Sequence, residues 1–203
     1  MNTNHFAVYP RDGFFILLML NYKKVGEEMC QVRNIVKNIK IWYKRIIMDT
    51  INISAIDTAA FFVRMDDLKD IEDGITNLKI QKLLYYAQGY HLAYFKKPLF
   101  DNTIEAWRYG PVVPEVYHKL SGFNRNPVDI ETLEKMENND SIGILPDSKT
   151  KDLLVAVFEQ LGQYSAWKLM DMTHEESPWK TTDQNKEITQ AKLESFFSER
   201  IAQ

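Results

Sequence analysis

The apolar positions of this 203-residue chain recur mostly at helical spacing from Met48 onward. Ser54 precedes "AIDTAAFFVRM" with Asp57 three residues on, the reciprocal pairing that starts a helix. "DDLKDIEDG" interrupts it, with Asp73-Gly74 as a turn. Thr76 or Asn77 caps the next helix, "LKIQKLLYYAQGYHLAYF", and Pro98 stops it. Ile80, Leu84, Ala87, His91 and Tyr94 form one stripe of that helix. Leu83 and Tyr90 lie beside the stripe, and Tyr85 and Leu92 on another side. A helix apolar around most of its circumference is a buried one, so this element is expected at the centre of the fold. Gly89, mid-helix, costs about 1 kcal/mol relative to Ala. With Ala93, Lys79 and Lys82 on its side, it either admits a closely packed neighbour or opens a ligand notch.

In "LFDNTIEAWRY", Ile104, Ala106 and Arg108 alternate with Glu105, Trp107 and Tyr109, which predicts a short strand or hairpin near 103–109. Gly110-Pro111 reads as a turn. Pro114 suits the first turn of the helix "PEVYHKL", where a missing N–H costs nothing. "NRNPVDIETLEKMENNDSIGILPDS" is polar and acidic and reads as a variable connection. Ser148 caps "KTKDLLVAVFEQLG", and Ser165 opens "AWKLMDMTH", a unit that Pro178 ends. "ITQAKLESFFSERIA" is a terminal helix with Leu193, Phe196, Phe197 and Ile201 expected inward. The fold class is mainly α: a compact multi-helix bundle around a central buried helix.

Residues 1–47 follow another pattern. "FFILLMLNYKK" is apolar then basic, but it is short, Asp12 precedes it, and no small-residue cleavage site follows, so it fits a signal peptide poorly. Ile35, Ile39, Trp42 and Ile46 make an amphipathic stripe, with Lys37, Lys40, Lys44 and Arg45 largely off it. Met1–Ile47 carries eight Lys/Arg against three Asp/Glu, or +5, and Met48–Gln203 carries 17 against 25, or −8. Three readings stay open: a helix over the core, a membrane-surface or partner-binding helix, or a mis-assigned start with Met48 as the true one. The domain division is therefore a 1–47 extension and a 48–203 body.

Composition narrows the function classes. The chain is 26% charged, and no apolar run approaches the roughly 20 residues that span a bilayer. A single cysteine, Cys30, excludes an internal disulfide and fits a reducing, cytoplasmic setting. An acidic body is poor equipment for gripping phosphates, so no direct nucleic-acid partner is expected of it. The four histidines lack metal-ligand spacing, and "THEES" lacks the second His of a zinc helix motif. No phosphate loop and no nucleophile elbow is present. "PDSK", at 146–149, lacks the spaced second carboxylate of a two-metal nuclease site. No cofactor or metal is expected. Glu115, His118, His174, Glu175 and Glu176 supply acid–base groups without fixed geometry, and Glu175 and Glu176 read as a solvated helix end.

"EAWRYGPVVPEVYHKL", Glu105–Leu120, concentrates Trp107, Tyr109 and Tyr117 around Gly110, Pro111 and Pro114. Aromatics on proline-locked backbone suit a binding surface, because they bury much area at low entropic cost. They equally suit a small core plug. The expectation is both: Trp107 inward, with Arg108, Tyr109 and Tyr117 at least partly outward.

Three blocks, "KIQKLLYYAQGYHLAYFKKPLF", "IEAWRYGPVVPEVYHK" and "YSAWKLMDMTHEESPW", resemble in order and spacing the signature blocks of the Panacea domain, the family of SocA-like antitoxins and phage-associated proteins. The resemblance covers about 48–203. It implies a mainly helical antitoxin of a bacterial or phage toxin–antitoxin system, acting by protein–protein contact and not as an enzyme. The partner implied is a cognate toxin, encoded by an adjacent gene. The alternatives are an adaptor that delivers the toxin to an AAA+ protease, or an enzyme using His118, His174 and Glu175. The partner-binding residues it implies are Trp107, Arg108, Tyr109, Gly110, Pro111, Val112, Pro114 and Tyr117, with Thr173, His174, Pro178 and Trp179 from the third block.

Overall fold

The structure, a computed structural model, describes residues 53–69, 74–146 and 148–202. The 1–47 extension and the Met48 start lie outside the described residues. Among the described residues there are eight α-helices and one two-stranded sheet, a mainly α architecture.

Helix α1 is Ala55–Leu68. Its start is a closed capping box: Asp57 N donates to Ser54 Oγ at 3.1 Å, and Ser54 N donates back to Asp57 Oδ2 at 3.4 Å. Helix α2, Asn77–Phe95, is capped by Thr76 and ends at Lys96, which adopts the left-handed conformation two residues before Pro98. Fifteen of its nineteen residues are buried, so the other elements wrap nearly all of it. Tyr94, expected on the inner stripe, is exposed at the last-but-one position of the helix.

The polar residues of α2 are buried with their bonds made. Gln81 Oε1 accepts from Val113 N at 2.9 Å, and Asn77 Nδ2 donates to the Tyr117 carbonyl at 3.1 Å. Gln88 Oε1 accepts from Leu99 N at 2.8 Å. These side chains supply partners to loop backbone that would otherwise be buried unpaired, a cost of about 1–3 kcal/mol each.

Strands β1, Glu105–Trp107, and β2, Gly110–Val112, pair antiparallel with Trp107 opposite Gly110. The turn is therefore Arg108-Tyr109, and Gly110-Pro111, expected as the turn, opens the second strand. Gly110 has φ +95°, a conformation open to glycine. On its other edge β1 meets the 185–188 segment: Ala106 N donates to Lys186 O at 2.9 Å and Ile188 N to Ile104 O at 2.8 Å.

Helix α3, Pro114–Lys119, follows with Pro114 in its first turn, and a 3-10 turn spans Leu120–Phe123. The expected variable connection contains a helix, α4, Ile130–Glu137, capped by Asp129. Its one buried residue is Leu133, too weak a periodic signal to read from sequence. Arg64 of α1 secures it through Glu134 at 2.5 Å and through the Ile142 carbonyl at 2.7 Å.

Helices α5, Lys149–Leu161, and α6, Ala166–Glu175, start at the expected caps Ser148 and Ser165. Ser177–Lys180 is a single turn, α7, and α8 is Gln190–Ile201. Leu193 and Phe197 of α8 are buried, Phe196 is half-buried, and Ile201, expected inward, is 37% exposed at the helix end. Phe197 lies directly over Gly89. A β-carbon at Gly89 would stand 2.1 Å from the ring, so this glycine admits a neighbour.

Candidate partner-binding surface

The β1–β2 hairpin is held from beneath by a buried lysine. Lys82 of α2 is fully buried and donates from Nζ to the Pro111 carbonyl at 2.9 Å. Burial pushes its amine down to about 7. A β-carbon at Gly110 would stand 2.9 Å from Lys82 Nζ and 2.8 Å from Thr173 Oγ1. Gly110 is thus required twice, by its φ and by the space. Thr173 is buried and donates to the Met170 carbonyl at 2.8 Å.

His174 stacks on Trp179, with ring centroids 3.9 Å apart and planes within 14°. Burial, and then the charge of Lys82, holds its imidazole below the usual range. Its Nε2 is buried without a partner among the described residues. Trp179 Nε1 donates to the Trp107 carbonyl at 3.0 Å, which ties the third sequence block to the second. Trp107 is half-buried; its own indole N–H donates to Glu105 Oε2 at 2.8 Å, and its ring meets Tyr117 edge-on at 5.0 Å.

Exposure sorts the twelve candidate residues. Arg108 is exposed, Tyr109 is 50% exposed and Tyr117 37% exposed, while Pro114, Trp107, His174 and Trp179 are half-buried. Gly110, Pro111, Val112, Thr173 and Pro178 are buried and shape the surface from below. The hairpin therefore presents Arg108 and Tyr109 at its tip, on backbone fixed by Lys82, Thr173 and Trp179.

The sequence reading missed Trp167. It is 60% exposed on α6, and its ring meets Tyr109 edge-on at 6.2 Å. Leu169 and Thr173 are the buried positions of α6, and Trp167 projects nearly opposite to them at 100° per residue. A tryptophan on the outer face of an amphipathic helix was the available signal. The guanidinium of Arg108 lies 5.6 Å from the Tyr109 ring centroid, within cation–π range. Arg108, Tyr109 and Trp167 thus form one exposed ladder.

Glu176, read as part of a solvated helix end, is buried. It accepts from Tyr85 Oη at 2.8 Å, from Tyr86 Oη at 3.1 Å and from Arg200 Nη1 at 2.5 Å. Burial raises its carboxyl, and these donors oppose the rise. Glu175 is exposed and pairs with Lys180 at 2.6 Å. A cavity of about 400 Å³ between α6 and α8 is lined by Lys168, Asp171, Met172, Glu175, Glu176, Phe196 and Arg200. It reaches Glu175 but neither His118, which packs on Trp107 and Tyr117, nor His174. Among the described residues no three His, Cys, Asp or Glu side chains gather to hold a metal, and no helix is long and apolar enough to cross a membrane.

Comparison with known proteins converges on these same elements. The family described as "Antitoxin SocA-like, Panacea domain" matches residues 80–180, from the start of α2 to the end of α7. A curated protein of Caulobacter vibrioides named Antitoxin SocA is 29% identical over 119 residues, covering 57% of this chain and 63% of that protein. The chain thus spans less than two thirds of that relative's length. No solved structure matches.

Proposed function

We propose, from the premise that this chain belongs to the SocA-like Panacea domain family, that it is a cytoplasmic antitoxin. In this reading it neutralises a cognate toxin, encoded by an adjacent gene, by direct protein–protein binding. The observation that carries the reading is the Arg108–Tyr109 hairpin tip. It is an exposed aromatic and cationic surface on backbone locked by a buried lysine, inside the family-matched segment. Tyr, Trp and Arg are the residue types that dominate binding energy at protein interfaces, and a rigid support lowers the entropic cost of using them. We assign no catalysis. His118, His174 and Glu175 are turned to separate tasks: tilted and edge-on packing against Trp107 and Tyr117, stacking on Trp179, and a surface ion pair.

Co-expression tests the reading. The neighbouring open reading frame is induced alone and together with this chain, and colonies are counted. Toxicity that this chain relieves is the expected result; toxicity without relief, or none, overturns it. Following the toxin's abundance separates the mechanisms. Neutralisation by binding leaves the toxin present in a stoichiometric complex. Delivery to an AAA+ protease removes it, and relief would then vanish in cells lacking the protease.

A further inference from the structure

Arg108 is a cation without a carboxylate. No ion pair engages it among the described residues, and its guanidinium rests only against the ring of Tyr109. Four acidic side chains of the neighbouring elements already have other partners. Glu105 accepts from Trp107, Glu115 accepts from Asn102, Glu175 is paired with Lys180 and Glu176 with Arg200. Asp171, on the α6 turn after Trp167, lines the α6–α8 cavity with Lys168. A guanidinium stacked on an aromatic face keeps its N–H edge free for a planar, bidentate acceptor. Beside it, the half-exposed Tyr109 and the 60% exposed Trp167 offer apolar ring area that no group among the described residues covers.

We propose that Arg108, Tyr109 and Trp167 are the anchor of the partner interface, and that they receive an acidic segment of the partner protein. A carboxylate docks on Arg108, and the flanking side chains pack on the two rings. The inference rests on the antitoxin reading and adds the partner's chemistry and Trp167 to it. A basic segment would meet an uncompensated guanidinium. Single-stranded nucleic acid would also find an arginine and two rings, but the net −8 of residues 48–203 opposes a polyanion far more than one carboxylate.

The test uses the full chain and the product of the neighbouring gene, carried as an inactivated variant, with affinity measured by calorimetry at low and high salt. All three residues are exposed, so the variants are expected to keep the wild-type melting curve. Trp167→Ala and Tyr109→Ala should each weaken binding roughly tenfold or more, as loss of a central aromatic does. Arg108→Glu should weaken it further than Arg108→Ala, and Arg108→Lys should recover part of the loss. The salt dependence of binding should be shallower for Arg108→Ala than for wild type. If wild type binds and every variant stays within about twofold of it, well short of interface-anchor effects, the anchor is wrong while the antitoxin reading stands. The same conclusion follows if Arg108→Glu binds tighter. If wild type does not bind, the antitoxin reading falls and takes the anchor with it. A single-stranded DNA oligonucleotide that binds through these residues and displaces the protein partner also overturns the proposal.

Discussion

Replacing Gly89 with alanine sets two effects of opposite sign against each other. Helix propensity alone favours alanine by about 1 kcal/mol in the interior of α2. The added β-carbon, however, would stand 2.1, 2.2 and 2.7 Å from Cε2, Cδ2 and Cζ of Phe197. Non-bonded carbons rest at about 3.5–4.0 Å, so the ring must retreat by more than about 1 Å. It has little room to do so. Phe197 is fully buried, with Tyr90 at 4.8 Å, Phe196 at 5.2 Å, Tyr85 at 5.5 Å and Tyr86 at 6.0 Å. Overpacking a tight core costs about 1–3 kcal/mol. Expelling the ring altogether costs about 3–5 kcal/mol. Less the propensity gain of about 1 kcal/mol, Gly89→Ala should destabilise the protein by about 1 kcal/mol, and by about 3 kcal/mol if α8 lifts away. For a domain of this size, about 1 kcal/mol lowers the melting temperature by roughly 2–4 °C. Urea denaturation and thermal melting followed by circular dichroism measure it. Placing Gly89→Ala on a Phe197→Ala background should remove the penalty and expose the propensity gain, a non-additivity that a double-mutant cycle reads directly. A Gly89→Ala protein as stable as wild type, or more so, would refute the close packing of α8 on α2.

Lys82 gives a pH prediction. Its amine lies at about 7 in the fold against 10.5 when exposed, so between these values the unfolded chain holds a proton that the folded chain lacks. Unfolding free energy should therefore rise with pH from about 7 to 10, by about 1.4 kcal/mol per unit from this group, and the rise should be absent in Lys82→Met. Urea titrations across that window check it; the window stops near pH 10 because the buried hydroxyls of Tyr85 and Tyr86, raised above their ordinary value, act in the opposite direction beyond it. Gly110→Ala should cost about 2 kcal/mol, from the strain of a positive φ and contact with Lys82 and Thr173, and thermal melting should show the loss. A melting curve equal to wild type would mean that the hairpin turns by another route.

Capping residues and long apolar helices were legible because their signals are local. Ser54 with Asp57, Thr76, Ser148 and Ser165 all cap where the sequence places them. The burial of α2 followed from its nearly continuous apolar surface. What could not be read depends on distant partners. Gly110-Pro111 is a strand only because Trp107 pairs with Gly110 and the 185–188 segment pairs with β1. Helix α4 exists among acidic residues because Arg64, about seventy positions earlier, ties down Glu134 and the Ile142 carbonyl. Glu176 looked solvated because its partners Tyr85, Tyr86 and Arg200 lie on two other helices. In the candidate surface the aromatic content was legible, but the division into tip, support and base was not. That division turns on Lys82, whose burial no spacing rule indicates.

The hairpin has no backbone edge to lend. One side of β1 is taken by β2 and the other by the 185–188 segment; beyond β2, the Pro111 carbonyl is held by Lys82 and Val113 N by Gln81. A sheet with open rims can recruit any extended peptide by strand addition, including another copy of itself. At the hairpin that route is shut, so any partner this face receives, as proposed above, must be read by side chains. Arg108 and Tyr109, at the turn, can then be exchanged without unpicking the sheet. A lineage that must meet new partners could rewrite those two letters and Trp167 while its scaffold stayed as it is.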